Sequence, residues 1–147
     1  MATDRIITKA DIGADGYFTD THLIVEGTLT VEAGVYLQVR GRIEAGWGIK
    51  AGWGIEAGEG IKAGGGIEAG GGIEAGWGIE AGGGIEAGLG IEAGLTITAK
   101  WLSVKLRIFA GICGWKIPAR EEQVIDAEVR SGLVAHGVVV RSKETPA

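Results

Sequence analysis

Ten isoleucines, from Ile43 to Ile97, fall six residues apart, and nearly all of them open the phrase Ile-Glu/Lys-Ala-Gly-x-Gly. A short fixed period of this kind confines the chain to a solenoid, in which each rung buries its apolar side against its neighbours. Helix is a poor alternative. Two glycines in every six residues cost about 2 kcal/mol per hexad relative to alanine. A six-residue period also fails to keep one face of a 3.6-residue helix apolar. As a strand, the hexad puts Ile and Ala on one face and Glu or Lys on the other. Gly-x-Gly is then expected to turn the corner, with positive φ at glycine. Glycine is abundant, 29 of 147 residues. It does not recur every third residue and only two prolines accompany it, which excludes collagen.

The fold class expected is an all-β, single-stranded β-solenoid with capped ends. Val25, Val31 and Leu37 extend the isoleucine series backwards at the same spacing, with Glu26, Glu32 and Gln38 in the charged slot. The expected divisions are an N-terminal cap over 1–24 and the hexad solenoid over 25–99. A C-terminal cap over 100–141 and a disordered tail over 142–147 follow. Within the last cap, 123–130 and 133–141 read as a hairpin turning at Ser131-Gly132, and the apolar run 109–115 reads as cover for the solenoid end.

Three hexads per turn give a triangular coil of about 18 residues. Its outward columns are Glu44/Lys62/Glu80, Lys50/Glu68/Glu86 and the wholly acidic Glu56/Glu74/Glu92. Two hexads per turn would stack still more like charge, and a four-sided coil is a further alternative. The triangular coil is the reading adopted. It places Trp47 with Gly65, Gly83 and Trp101 on one corner, Trp53 with Gly71 and Leu89 on the next, and Trp77 with Glu59 and Leu95 on the third.

The net charge of −5 is uneven: −2 over residues 1–42, −6 over 43–99 and +3 over 100–147. An acidic rod repels nucleic-acid phosphates and favours a basic protein surface, such as that of a nucleic-acid-binding protein. Groups that commonly carry catalysis are sparse. His22 and His136 lie at opposite ends of the chain, and the single cysteine, Cys113, sits in an apolar stretch. One cysteine permits neither an internal disulfide nor a cysteine metal cluster. The Gly-rich turns imitate phosphate loops, but no Gly-Lys-Ser/Thr follows any of them. The expectation is a protein that is not an enzyme, with no catalytic residues, no metal and no cofactor. The residues expected to meet a partner are Glu44, Glu56, Glu68, Glu74, Glu80, Glu86 and Glu92, with Trp47, Trp53 and Trp77 as anchors. The amino terminus lacks a basic-then-apolar leader and no run of about 18 apolar residues occurs. These features point to a cytoplasmic protein without membrane contact.

The stretch Ala51-Gly52-Trp53-Gly54-Ile55-Glu56-Ala57-Gly58, with Lys100-Trp101-Leu102-Ser103-Val104-Lys105-Leu106-Arg107-Ile108-Phe109-Ala110-Gly111, resembles uncharacterised small proteins of bacterial genomes and mobile elements. That resemblance covers roughly residues 43–117 and implies no activity. Residues 25–42 are similar to bactofilin-type β-helices, which polymerise end to end. The hexads resemble those of hexapeptide acyltransferases, whose active-site His and interrupting loop are missing here. Acidic β-helices that mimic DNA are similar at the level of fold. Two functions follow as expectations. The first is an acidic, nucleic-acid-mimicking binding protein, such as a phage or mobile-element inhibitor of a CRISPR effector. The second is a structural protein that self-associates through its solenoid ends.

Overall fold

The structure, a computed structural model, describes residues 3–113 and 115–140. It is an all-β solenoid whose strands run parallel in one continuous coiled sheet. Numbered in chain order, the first face stacks β2 (Leu23–Val25), β5 (Ile43–Ala45), β8 (Ile61–Ala63) and β11 (Ile79–Ala81). The second stacks β1 (Arg5–Ile7), β3 (Leu29–Val31), β6 (Ile49–Ala51), β9 (Ile67–Ala69) and β12 (Ile85–Ala87). The third stacks β4 (Leu37–Val39), β7 (Ile55–Ala57), β10 (Ile73–Ala75) and β13 (Ile91–Ala93). The triangular coil and its three outward columns are therefore those expected from the hexads.

Each short strand from β2 to β13 buries both ends and turns its middle residue outward. Ile43, Ile55 and Ile85 are fully buried, and the alanines two positions later nearly so. Fully burying an isoleucine contributes about 1.5–3 kcal/mol, so the interior column is the main source of stability. Main-chain hydrogen bonds tie the rungs together. The amide of Ile55 donates to the Gly72 carbonyl at 3.0 Å, and that of Gly76 to Ala57 at 3.0 Å.

The hexad glycines serve a purpose other than the one expected. Positive φ occurs at Gly16, Gly34, Gly111, Gly132 and Gly137, all outside residues 43–99. With the exception of Gly52, the first glycine of a hexad is needed for space. A Cβ on Gly64 would collide with the carbonyl oxygen of Gly46, and one on Gly76 with that of Gly58. The corners stack backbone on backbone, and only hydrogen fits between.

The opening coil corrects two assignments. Leu23, Leu29 and Leu37 occupy the isoleucine position, whereas Val25 and Val31 align with Ala45 and Ala51. The outward residues are accordingly Ile24 and Thr30, not Glu26 and Glu32; Gln38 is placed as expected. The cause is a longer corner, Glu32–Tyr36, turned by Gly34 at φ 83°. At the lower end Ile7 and Phe18 are fully buried, and Phe18 bridges antiparallel to Ile12. Within the stretch 1–24, β1 is itself a rung strand, paired in parallel with β3.

The solenoid does not stop at residue 99. Strand β14 (Ile97–Ala110) crosses all three faces in one run, pairing with β11, β12 and β13 in turn. Strand β15 (Val124–His136) follows it in parallel, and β16 (Val138–Val140) stacks on the start of β15. The expected hairpin is absent among the described residues. Gly132, at φ 106°, bends β15 around a corner in place of a reversal, and Gly137, at φ 115°, returns the chain to the first face. The run 109–115 does not cover the end either: Phe109 stands outward above Glu92, and Trp115 lies against Trp77 on the side wall. The expected tail, 142–147, falls outside the described residues. Among the described residues, no helix is long and apolar enough to cross a membrane.

Alanine at position 76 or 64 should cost about 1–3 kcal/mol, the range for overpacking. Gly65→Ala should be tolerated, because a Cβ there meets its nearest neighbour at 3.5 Å. Urea unfolding of the three variants checks this contrast.

Candidate functional site

The three outward columns differ in electrostatic character. On the first face Lys62 stands between Glu44 and Glu80. On the second, Lys50 lies below Glu68 and Glu86. The third reads Gln38, Glu56, Glu74, Glu92 and Phe109, with no cation among its outward residues. Rungs about 4.8 Å apart set neighbouring carboxylates into a repulsion of about 1 kcal/mol per pair even at the dielectric of water. The expected set of seven glutamates is thus divided among faces, and only Glu56, Glu74 and Glu92 form an unbroken ladder.

The foot of this ladder is compensated and its upper part is not. The Tyr36 hydroxyl donates to Glu56 Oε2 at 3.3 Å, and Gln38 Nε2 donates to the same oxygen at 3.1 Å. Burial, followed by the charge of Glu56, pushes the Tyr36 phenol up to about 12, so it remains a donor. Among the described residues, Glu74 and Glu92 have no hydrogen-bond or ion-pair partner. Desolvation, then the charges of Glu56 and Glu92, raise the Glu74 pKa above the ordinary carboxylate value.

The tryptophans occupy different corners. Trp47, Trp53 and Trp77 are exposed to 65%, 52% and 46%, so none is committed to the core. Trp53 and Trp77 border the acidic face on its two sides, whereas Trp47 stands on the corner between the first and second faces. Trp101 does not take the expected place on that corner above Gly83. Instead Lys100 donates to the Gly83 carbonyl, and the Trp101 ring lies over Gly84. The shift arises because β14 spends five residues, not six, between Ile97 and Leu102. Trp115 is an addition that spacing does not reveal. Its ring centroid is 6.2 Å from that of Trp77, and its indole N–H reaches the Gly76 carbonyl at 3.4 Å. No periodicity connects 115 to 77, so only tertiary structure brings them together.

The histidines hold backbone. His22 Nδ1 accepts from the Arg42 amide at 3.0 Å, and His136 Nδ1 lies 2.7 Å from the Ala110 carbonyl. Cys113 is half-buried and free. Among the described residues, no group of three or more His, Cys, Asp or Glu is arranged to hold a metal ion. No protein-family model matches the chain, and no curated protein or solved structure is significantly similar to it.

The raised Glu74 pKa has a defined sign. Its charged form is disfavoured in the fold, so folding takes up a proton as pH falls toward Glu74's raised pKa, above the ordinary 4.5. The Glu74 contribution to stability should therefore rise as pH falls through that window. Glu74→Gln should stabilise the protein at neutral pH and flatten the trend, as read from urea midpoints at neutral and mildly acidic pH.

Proposed function

We propose that this protein is a non-catalytic binding protein whose third face presents its carboxylate ladder to a basic protein surface. The observation that carries the reading is the ladder Glu56–Glu74–Glu92. It is a row of like charge on a rigid support, kept where either neighbouring column includes a lysine. Like charges stacked at this spacing oppose folding, so their concentration on one face favours a role in recognition. Solubility alone would be met equally well by mixed columns. Trp53 and Trp77, exposed along the two borders, supply apolar anchors that a charged ladder lacks.

A regular line of negative charge imitates the phosphate backbone that nucleic-acid-binding proteins accept in basic grooves. The most concrete form of the proposal is an inhibitor, encoded by a phage or mobile element, of a nucleic-acid-handling host system such as a CRISPR effector. Affinity capture from bacterial lysate should return a basic, nucleic-acid-binding protein that duplex DNA displaces and high salt releases. Converting Glu56, Glu74 and Glu92 together to Gln should weaken that capture at least about tenfold, or ~1.4 kcal/mol. Retention of the same partner at unchanged affinity by the triple variant would falsify the acidic-face reading.

A further inference from the structure

The third face holds a groove of about 480 Å³ whose floor includes Gly72 and Gly90, beside Glu74 and Glu92. Tyr36 closes one end, and Leu106 and Phe109 wall the other. The groove exists because of one glycine column. Gly54, Gly72 and Gly90 are the second glycines of successive hexads on this side. The Tyr36 ring already covers Gly54, and the Arg107 carbonyl would stand 2.7 Å from a Cβ on Gly90. Between them, a Cβ on Gly72 would meet nothing nearer than the Gly90 carbonyl, at 3.4 Å. The floor there is bare, flat backbone. The equivalent glycine column of the second face is closed at Gly84 by the Trp101 ring.

Shape and charge together select the occupant. The walls are aromatic and aliphatic, the floor is planar, and two stacked carboxylates, without partners among the described residues, line one side. A lysine ammonium is a compact, strongly hydrated point charge that gains little from a flat floor. A guanidinium is planar, stacks on aromatic rings and donates from several edges at once. The exposed Arg107 borders the upper rim, so a second cation is best accommodated toward Tyr36. We infer that this groove seats an arginine side chain of the basic partner, its guanidinium flat on the Gly72 floor beside Tyr36 and donating to Glu74 and Glu92. The inference rests on the reading of the third face as a binding surface and adds the chemistry of what it binds.

Fluorescence-anisotropy titration of the full chain tests it, with labelled oligo-arginine and oligo-lysine peptides of equal length as probes. The arginine peptide should bind at least about fivefold more tightly. Gly72→Ala leaves the charge unchanged but raises the floor, and should abolish that preference. Tyr36→Ala, which removes a wall, should do the same, and provides a second variant should Gly72→Ala prove poorly folded. The pair Glu74→Gln/Glu92→Gln should weaken arginine-peptide binding more than Glu68→Gln/Glu86→Gln on the second face. Equal affinity for the two peptides, unmoved by Gly72→Ala and Tyr36→Ala, overturns the groove and leaves the acidic face standing. Failure of both peptides to bind even at low salt overturns the acidic-face reading as well.

Discussion

Backbone packed on backbone at the corners is the constraint on which the rest of the molecule depends. Parallel rungs hydrogen-bonded at strand spacing bring each corner directly over the one below. The first glycine of every hexad but that of Gly52 then faces a carbonyl oxygen at a distance that admits no side chain. Once that glycine is required, the rung can neither slip nor spread. Isoleucine falls inside the triangle, alanine beside it, and the residue between them outside. The column pattern of charge follows from this fixed register.

That dependence explains why the middle of the chain is legible and its ends are not. Glu56, Glu74 and Glu92 can be grouped from the sequence once three hexads per turn are adopted, because an 18-residue turn then leaves no freedom in which residues stack. The first coil lacks the glycine marker. There leucine and valine both satisfy an interior position, so Val25 and Val31 pass for isoleucine equivalents when they stand for alanine. The longer corner at Gly34 is the only local sign of the change. At the other end Ser131-Gly132 carries the same local preference for a hairpin as for a bent parallel strand. Only the neighbouring β14, which offers a full-length edge, decides between them. The apolar alternation over 101–108 is plain in the sequence, but its role as a rung is not.

The candidate site shows the same division. The acidic ladder lies within the repeat and is readable from it. Tyr36 and Phe109, which bound that ladder below and above, come from the two irregular coils. The repeat thus supplies a uniform charged surface, and the departures from repetition give that surface ends, a floor and walls. Trp115 illustrates the point on a neighbouring corner, where a non-repeating segment folds back along the wall to meet Trp77.

Three strands to a turn also set the unit by which such a chain can change length. Gain or loss of a whole 18-residue coil lengthens or shortens each column without mixing them. Gain or loss of a single hexad between Tyr36 and Phe109 would rotate everything beyond it by one face. The upper part of a neighbouring column would then stand on the foot of the glutamate ladder, and Phe109 would come to rest over a different face from Tyr36. The motif repeats every six residues, but the heritable module that preserves the surface is three times as long.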